Sequence, residues 1–383
     1  MNKDVDSTSS LRVEELLSRG VAEVIGKEDL KKKLESGKKL RVKLGIDPTS
    51  PNLHLGRSVP LLKMRDFQKL GHQVVFIVGD FTGVIGDSSD KESERPMLDH
   101  SVIEENKKSY FEQIGKLINL DQAELRYNSE WLEPLTYREI GEHADQFSVS
   151  DFIARENIAK RLTEGKRVSL REVLYPLMQG YDSVATKADV ELGGIDQRFN
   201  LLSGRVLQEH FGQDPQSIVM TTFPILGLDG RKMSSSWGNT INFNDIPNDM
   251  YGKVMSMVDD QVPSYFEACT RLPMEEVNTI IKSHPKEAKM RLAFEITKLY
   301  HGEEAAKQAE ENFAETFSKG GVPKDVETVR ASKNTPLVEV LLKQGLVSSK
   351  TEFNRLQKEG AIKEIESGVY RIGKHRFLRI EIV

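Results

Sequence analysis

A polar cluster at the start of a predicted helix is the first part of this sequence that suggests chemistry. His54-Leu-Gly-Arg57 follows the turn Gly45-Ile-Asp-Pro-Thr-Ser-Pro51 and begins a segment of helical periodicity that ends near Leu70. A helix N-terminus presents free backbone N–H groups and a partial positive charge, so it suits a phosphate. Gly56 would let a nucleotide approach the backbone closely. The residues alone leave open that His54 merely packs at a helix start.

Two further cationic segments could bind phosphates. Arg231-Lys-Met-Ser-Ser-Ser236 follows the apolar run Ile218–Ile225, which predicts a strand. A lysine and hydroxyls beyond the carboxyl end of a strand can hold a polyphosphate, although a lone Lys-Ser run is more often a solvated turn. Lys91 and Arg95 lie four residues apart in a polar segment and fit either a phosphate clamp or a solvated face.

Three other polar segments suggest a pocket for a small molecule. Gly79-Asp-Phe-Thr-Gly-Val-Ile-Gly-Asp87 follows a predicted strand, and its carboxylates suit a cationic group, although a simple turn is equally consistent. Tyr175, Gln179 and Asp182 share one face of a predicted helix, which favours a polar pocket wall or a structural hydrogen-bond network. Gly193-Gly-Ile-Asp-Gln197 could hold a ribose or form a glycine turn.

The segments around these residues predict an α/β fold. Lys39–Gly45 reads as a strand, Leu53–Leu70 as a helix and His72–Val78 as a strand buried on both faces. Strand, helix and strand in this order form a βαβ unit with a parallel sheet. Leu11–Leu34 predicts one or two helices, with Ser9 and Ser10 as possible caps.

The rest of the chain predicts helices and a separate tail. Residues 97–215 read as mainly helical, and amphipathic helices run from Ile246 to about Phe317. Gly320 to Thr335 is typical of a linker. From Pro336 to the end, nine Lys/Arg and six Asp/Glu give +3, while the preceding chain carries 45 against 53, or −8.

Composition excludes several classes of protein. Hydrophobic residues make up 38% and charged residues 30% of 383 residues, which is typical of a soluble globular chain of two or three domains. No run reaches the ~20 apolar residues that span a bilayer, and no secretory signal is visible, so we expect a cytoplasmic protein. Cys269, the single cysteine, argues against a disulfide framework or a zinc cluster. The net charge of −5 means that a nucleic-acid contact must come from a local basic patch.

Together these segments resemble the bacterial-type tyrosyl-tRNA synthetases, which are class I aminoacyl-tRNA synthetases. His54-Leu-Gly-Arg57 is similar to the HIGH motif, and Lys232-Met-Ser-Ser-Ser236 to the KMSKS motif. Gly45–Thr49, Gly83–Asp87, Tyr175–Asp182 and Gly193–Gln197 are similar to further blocks of the family, in matching order and spacing. The tail resembles a short S4 RNA-binding module.

The resemblance implies a domain organisation and a reaction. It implies a Rossmann-type parallel-sheet catalytic domain over 1–245 with a dimerisation region inserted at about 97–215. A helical anticodon-binding domain (246–322), a linker (323–335) and an S4-like α+β domain (336–383) follow. The implied reaction joins L-tyrosine and ATP, with Mg²⁺ carried by ATP, into tyrosyl-adenylate and then acylates tRNA(Tyr). A homodimer is also implied, with no membrane partner and no protein-bound metal.

The resemblance also assigns roles to individual residues. The residues implied in catalysis are Thr49, His54, Arg57, Lys91, Arg95, Lys232 and Ser235. Those implied in tyrosine binding are Lys43, Asp87, Tyr175, Gln179, Asp182 and Gln197. Those implied in ATP binding are Asp47, Gly56, Gly194, Asp196 and Lys232, and those in RNA binding are Lys350, Arg355 and Lys358.

Three positions depart from the family pattern. Arg57 replaces the last histidine of HIGH, Ser235 replaces the second lysine of KMSKS, and Lys43 stands where many relatives place a tyrosine on the substrate hydroxyl. Two alternatives are therefore also consistent with the sequence: a relative that activates tryptophan, and a paralogue that binds RNA or activates an amino acid without charging tRNA.

Overall fold

The structure of the protein, a computed structural model, describes residues 12–87, 97–222, 225–318, 326–332, 335–347, 349–373 and 376–382. The chain divides into two units. The first consists of Met1–Asn244 with Ser264–Arg271, and the second of Asp245–Pro263 with Leu272–Val383. Within the described residues, no helix is both long and apolar enough to cross a membrane.

A six-stranded sheet forms the centre of the first unit. Its order is β1-β6-β5-β2-β3-β4, and every pair is parallel except β1 with β6. The order reverses between β5 and β2, which is where open α/β sheets bind ligands. The strands are β1 (Val21–Ile25), β2 (Arg41–Ile46), β3 (Gln73–Val78), β4 (Ala123–Tyr127), β5 (Val190–Gly194) and β6 (Ser217–Thr221).

Helices cover the sheet and connect its strands. Residues 12–18 form α1. The helices up to β6 are α2 (Lys27–Glu35), α3 (Leu55–Lys69), α4 (Asp80–Ile85), α5 (His100–Lys107), α6 (Tyr110–Gly115), α7 (Ser129–Leu132), α8 (Tyr137–Ala144), α9 (Val149–Ile153), α10 (Glu156–Thr163), α11 (Leu170–Thr186) and α12 (Arg198–His210). Short 3-10 helices cover Leu120–Gln122, Ile195–Gln197 and Ser235–Trp237.

Three strands lie where helices were expected. The predicted helical segment Leu11–Leu34 contains β1, which is bounded by Gly20 and Gly26 at φ values of 61° and 73°. Glycine adopts this left-handed backbone conformation readily, so the two glycines interrupt the helical pattern and the residues between them form a short edge strand. The stretch 97–215 also contributes β4 and β5 to the sheet. β4 alternates polar and apolar residues at an edge and β5 ends in glycines, so neither gives the long apolar run of a central strand.

A buried ion pair fixes the start of α11, the helix that carries three of the predicted site residues. Arg161 on α10 donates to both carboxylate oxygens of Glu172, at 2.7 and 3.1 Å, and both side chains are almost fully buried. Glu172 also accepts from the backbone N–H of Ser169 at 3.1 Å, which closes a capping box. The first turn of α11 is therefore tied to α10.

Glu172→Gln should lower the free energy of unfolding by about 3 kcal/mol, because it removes the carboxylate charge that pairs with the buried Arg161 guanidinium. Urea denaturation measures the change. Glu156→Gln, on the exposed side of α10, is the control and should shift stability by less than about 0.5 kcal/mol. Equal stability of the two variants would contradict this assignment.

The second unit contains helices followed by a small mixed sheet. The helices before this sheet are α13 (Pro247–Met255), α15 (Met274–Ile280), α16 (Pro285–His301) and α17 (Glu303–Ser318). A 3-10 helix covers Asp259–Gln261. The helix α14 (Val262–Cys269) lies largely in the first unit. The helices expected between Ile246 and Phe317 are thus confirmed.

The sheet near the C-terminus has the order β7-β10-β9-β8, with β7 parallel to β10 and the other pairs antiparallel. Its elements are β7 (Thr328–Ala331), α18 (Leu337–Lys343), α19 (Lys350–Lys358), β8 (Ile362–Glu366), β9 (Val369–Ile372) and β10 (Arg376–Ile382). β7 falls inside the segment 323–335 that was predicted as a linker. Its residues pair with residues of β10 that lie 51 positions later, as Thr328 does with Arg379, and so distant a partner leaves little local signal in the sequence.

Candidate active site

The first unit contains a cleft of about 560 Å³ at the carboxyl ends of its parallel strands. β2 and β5 pair only at Val42 with Val190 and at Lys43 with Glu191, whereas β2 continues to pair with β3 as far as Ile46. Beyond Lys43 the two strands therefore separate, and the cleft opens between them. Its volume lies within the range of small-molecule binding sites.

The cleft brings together the predicted site residues that come from distant parts of the first unit. Those that line it are Lys43, Asp47, Thr49, His54, Gly56, Arg57, Asp87, Tyr175, Gln179, Asp182, Gly194, Asp196, Gln197, Lys232 and Ser235. Lys91 and Arg95 lie outside the described residues. In the described part of the chain, no group of three or more His, Cys, Asp or Glu side chains could hold a metal ion.

The start of α3 presents a neutral histidine to the cleft. Burial, with the nearby charges of Arg57 and Lys232, lowers the pKa of His54 to about 3. The Nδ1 atom of His54 is buried and has no hydrogen-bond partner among the described residues. A Cβ atom at position 56 would lie only 3.0 Å from this ring. Gly56 has no Cβ, so the imidazole can occupy its position without a clash. A neutral ring here can donate one hydrogen bond to a ligand without a fixed charge.

The loop around Lys232 lies directly against this helix start. The N–H of Leu55 donates to the carbonyl of Ile241 at 2.9 Å, and the N–H of Gly56 points at the sulfur of Met233 at 3.3 Å. The hydroxyls of Ser50 and Ser235 lie 3.2 Å apart. The segments that resemble HIGH and KMSKS therefore form one wall of the cleft.

Lys232 faces a carboxylate across the cleft. Its ammonium lies 3.5 Å from Asp196, which follows β5. Asp196 in turn lies against Gly194, where a Cβ would approach its carboxylate to 2.4 Å. A glycine at position 194 thus keeps the backbone open beside the acid. A lysine in this position can exchange its carboxylate partner for a phosphate when a ligand binds, and pair with the carboxylate again when the ligand leaves.

A buried carboxylate forms the floor of the cleft. Asp182 accepts from the indole Nε1 of Trp131 at 2.8 Å, and the Asn128 side chain also donates to it. Burial raises the pKa of Asp182 to about 7, while Lys43 and these donors counteract the rise. Asp182 is therefore poised between its two forms near neutral pH and can accept a hydrogen bond when ionised.

A buried ion pair lies beside this floor. The ammonium of Lys43 donates to Glu191 at 2.7 Å, to the hydroxyl of Ser183 at 3.1 Å and to the carbonyl of Gln179 at 3.1 Å. Lys43 and Glu191 occupy the last paired position of β2 and β5. Lys43 thus lines the cleft with its charge already paired, and its predicted contact with the substrate remains a prediction.

The middle of the cleft carries a second polar network. Tyr175 donates to Asp47 at 2.8 Å, and Gln197 donates to Asp87 at 2.8 Å. The amide of Asn200 bridges Gln197 and Gln179 at 3.0 and 3.1 Å. Asp47, which was predicted to contact ATP, bonds Tyr175 of the predicted tyrosine subsite. These carboxylates and amides therefore lie close together, which is the arrangement that a binding site for a cationic group requires.

Sequence reasoning missed four polar residues of the site. They are Asn128, Trp131, Glu191 and Asn200. Asn128 and Trp131 follow β4, and Glu191 lies within β5, so the weak patterns of these two strands concealed them. A charged residue inside an otherwise apolar run, as in Val-Glu-Leu at 190–192, is the signal that could have identified Glu191.

Comparison with known proteins identifies the family of this chain. The family described as tRNA synthetases class I (W and Y) matches residues 34–318. Tyrosine–tRNA ligase from Thermotoga maritima is 44% identical over 386 residues, which cover 95% of this chain and 96% of that protein. Tyrosine–tRNA ligase from Moorella thermoacetica is 44% identical over 392 residues, covering 95% and 94%.

Solved structures agree on the fold. Tyrosyl-tRNA synthetase from Archaeoglobus fulgidus, crystallised with L-tyrosine, has a TM-score of 0.62 at 22% identity, and the match covers 79% of this chain and 99% of that one. A truncated mitochondrial tyrosyl-tRNA synthetase from Coccidioides posadasii has a TM-score of 0.63, also at 22% identity, and covers 80% and 96%. The chain therefore belongs to the class I tRNA synthetases of the tryptophan and tyrosine family and, within it, to the tyrosine–tRNA ligases.

Proposed function

We propose that the protein, a tyrosine–tRNA ligase, carries out amino-acid activation in the cleft of its first unit and then charges tRNA(Tyr). The observation that supports this best is the arrangement of the cleft. A buried acceptor, Asp182, forms its floor, and His54 and Lys232 lie at its wall. We place the reaction in the cytoplasm, because ribosomes consume the charged tRNA there.

The chemistry requires positioning rather than a protein nucleophile. A carboxylate oxygen of tyrosine attacks the α-phosphorus of ATP, and the bond from that phosphorus to the bridging oxygen breaks. Tyrosyl-adenylate and pyrophosphate result. A ribose hydroxyl at the 3′ end of tRNA(Tyr) then attacks the tyrosyl carbonyl and releases AMP. Charge that develops on the phosphate oxygens is stabilised by fixed donors, and Mg²⁺ enters as part of the ATP substrate.

The tyrosine subsite is the deeper half of the cleft. Asp182 accepts from the phenol hydroxyl, and Asp87, Tyr175 and Gln179 hold the ammonium group. Gln197 positions Asp87 through its 2.8 Å hydrogen bond. Phenylalanine lacks the hydroxyl and leaves the acceptor on Asp182 unpaired, which penalises its binding.

The nucleotide occupies the outer half. Gly194 and Asp196 hold the ribose, Gly56 permits close approach to α3, and Asp47 and Thr49 lie beside the phosphates. His54 donates to the α-phosphate, while Lys232 leaves Asp196 to bind the departing pyrophosphate. Lys91 and Arg95 complete this group of cations in our proposal.

The departures from the family motifs alter charge at the cleft rim. Arg57 is exposed and lines the cleft, so it adds a cation beside the nucleotide. Ser235 is also exposed and contributes a hydroxyl where relatives carry a lysine. We propose that the charge lost at position 235 is offset by Arg57, which leaves the protein active.

ATP–pyrophosphate exchange with tyrosine, phenylalanine and tryptophan tests this function, followed by charging of total tRNA. We expect exchange with tyrosine alone and a single acceptor, tRNA(Tyr). Exchange with tryptophan would identify the tryptophan-activating alternative. Binding of tRNA without charging would identify the paralogue.

We propose that the C-terminal module binds RNA in the manner of an S4 domain. The apolar core of the module includes Phe353 and Leu356 from α19. Lys350, Arg355 and Lys358 project from the opposite, exposed side of this helix. A basic helix face on a small module suits the phosphates of tRNA.

Removing residues 336–383 should therefore lower the affinity for tRNA and reduce its salt dependence, because cationic contacts to phosphates are lost. Exchange with tyrosine should stay within about twofold, since the cleft lies in the other unit. Filter binding over a range of salt concentrations measures the effect. Unchanged tRNA affinity would assign the tail another purpose.

We propose a homodimer formed through the region around α8 to α11. Large exposed apolar side chains concentrate there: Tyr137, Ile140, Val149, Ile153, Leu162 and Leu170. Tyr137 is 95% exposed, and an apolar patch of this kind is typical of a protein interface. A second copy is the occupant that the family resemblance implies.

The double substitution Tyr137→Asp and Val149→Asp should convert the dimer into a monomer, because it places charges in an apolar interface. Sedimentation velocity measures the mass of the species in solution. Asp substitutions at the exposed Lys160 and Glu164 of the same region are the control and should leave the dimer intact. A monomeric wild-type protein would refute the proposal.

A further inference from the structure

A short antiparallel ladder of backbone hydrogen bonds holds the loop that carries Lys232. Leu226 bridges Lys232 in antiparallel fashion, and the N–H of Met233 donates to the carbonyl of Ile225 at 3.0 Å. The N–H of Gly227 donates to the carbonyl of Arg231 at 2.6 Å. The backbone position of Leu226 therefore sets the backbone position of Lys232.

A buried tyrosine contacts this ladder at the bridging residue. Tyr265 is 1% exposed, and its hydroxyl donates to the carbonyl of Leu226 at 2.5 Å. The neighbouring Phe266 is fully buried. Burial raises the pKa of the Tyr265 hydroxyl well above its ordinary value, so the group remains a donor at any working pH. The rigid phenol ring of Tyr265 therefore sets the distance between α14 and the loop that carries Lys232.

The segment Ser264–Arg271, which carries Tyr265, is itself fixed within the first unit. The guanidinium of Arg19 donates to the carbonyls of Glu267 at 3.1 Å, Phe266 at 3.2 Å and Thr270 at 3.0 Å. These are carbonyls at the end of a helix, where backbone acceptors lack helical partners. Arg19 thus caps the segment and prevents it from shifting.

The same segment is tied to the helix that begins at His54. Arg271 donates to the Asp66 carboxylate at 2.9 Å and lies 2.8 Å from its second oxygen, and Asp66 is on α3. The segment therefore contacts two elements that line the outer cleft, at positions outside the cleft itself. It reaches α3 through Arg271 and the Lys232 loop through Tyr265.

We propose that Tyr265 is a positioning residue for adenylate formation, whose hydroxyl holds the Lys232 loop at a set distance from the helix that begins at His54. It does not touch the substrate. Its effect passes through the carbonyl of Leu226 to the backbone of Lys232. The inference rests on the proposed role of Lys232 at the pyrophosphate, and it assigns a chemical function to a residue 33 positions away in the chain.

Tyr265→Phe tests this in the full-length protein. Loss of the hydroxyl should reduce kcat for ATP–pyrophosphate exchange about tenfold, because displacement of a reacting group by a fraction of an ångström is costly. KM for tyrosine should be unchanged, since the deeper half of the cleft does not use this loop. Amide hydrogen exchange should become faster in residues 226–233 and remain unchanged in β2.

Tyr251→Phe is the matched control. Tyr251 is also fully buried, and its hydroxyl lies 3.4 Å from both the Met290 carbonyl and Glu310 in the second unit. Both variants should lose a few degrees of melting temperature, at most ~4 °C, but only Tyr265→Phe should lose kcat. Equal kcat losses in the two variants would overturn the inference. So would a wild-type kcat in Tyr265→Phe, or a loss expressed only in KM for tyrosine.

Lys232→Met, measured in parallel, separates this inference from its premise. Slow exchange by Lys232→Met with normal exchange by Tyr265→Phe overturns the role of Tyr265 alone. Normal exchange by Lys232→Met overturns the proposed role of Lys232, and with it the reason for positioning the loop.

Discussion

Asp182→Asn should lower kcat/KM for tyrosine activation by roughly 10- to 100-fold, because a hydrogen bond to a charged group contributes about 1.5–3 kcal/mol. Asparagine retains an oxygen that accepts from Trp131, which donates to Asp182 at 2.8 Å. The pocket should thus keep its shape while it loses the anionic acceptor for the phenol. Discrimination against phenylalanine should weaken in proportion, and exchange assays with both amino acids measure it.

The same residue predicts a pH dependence. The pKa of Asp182 is raised to about 7 by burial, so the acceptor becomes protonated as pH falls below this value. Tyrosine activation by the wild-type protein should decline from pH 8 to pH 6, and this decline should be absent in Asp182→Asn. A decline of equal size in both proteins would assign it to another group.

Stability should change in the opposite sense to activity. The folded protein keeps the proton on Asp182 up to about pH 7, whereas the unfolded chain releases it near pH 4. Raising the pH from 4 to 7 therefore costs folding free energy, and asparagine removes this cost. At pH 8 the variant should be more stable by about 2–4 kcal/mol in urea denaturation. A loss of stability would show that Asp182 is ionised without penalty.

Lys232→Met should reduce kcat for pyrophosphate exchange about 100- to 1000-fold, the effect typical of removing one preorganised electrostatic donor. The lysine faces Asp196 at 3.5 Å and lies on the wall that includes His54. Methionine preserves most of the length of the side chain and removes its charge. KM for tyrosine should remain within about twofold, because the amino acid binds in the deeper half of the cleft.

Arg231→Met is the control for this substitution. Arg231 neighbours Lys232 in the chain, but it pairs with Asp229 and stacks on Trp237, 4.6 Å from the ring centre. It does not line the cleft. Exchange by Arg231→Met should stay close to the wild-type rate. If both variants lost activity equally, the loss would reflect the net charge of the loop rather than a contact by Lys232.

Much of the catalytic fold follows from local sequence signals. The apolar run that forms β3 and the helical periodicity of α3 predict a βαβ unit without any knowledge of distant contacts. The edge strands are different, because β1, β4 and β7 are short or mixed in polarity and form only by pairing with remote strands. Their formation depends on the sheet that receives them.

The site shows the same division. Residue type and spacing alone placed Tyr175, Gln179 and Asp182 on one helical face, and all three residues do lie within α11. Sequence could not reveal that Trp131 donates to Asp182, since the two are 51 residues apart on separate elements. Nor could it reveal that Lys43 is already paired with Glu191, which lies 148 residues later in the sequence.

The amino-acid sequence alone establishes which chemical groups the protein possesses and which of them share a turn, strand or helix face. His54, Lys232 and Asp182 were identified in this way. The partners and the protonation of these groups depend on how the chain packs. Packing accounts for the neutral ring of His54, the pKa of Asp182 and the anchoring of the Lys232 loop by Tyr265. Residue type and periodicity are local properties, whereas burial and hydrogen-bond partners arise because long-range packing brings distant segments together.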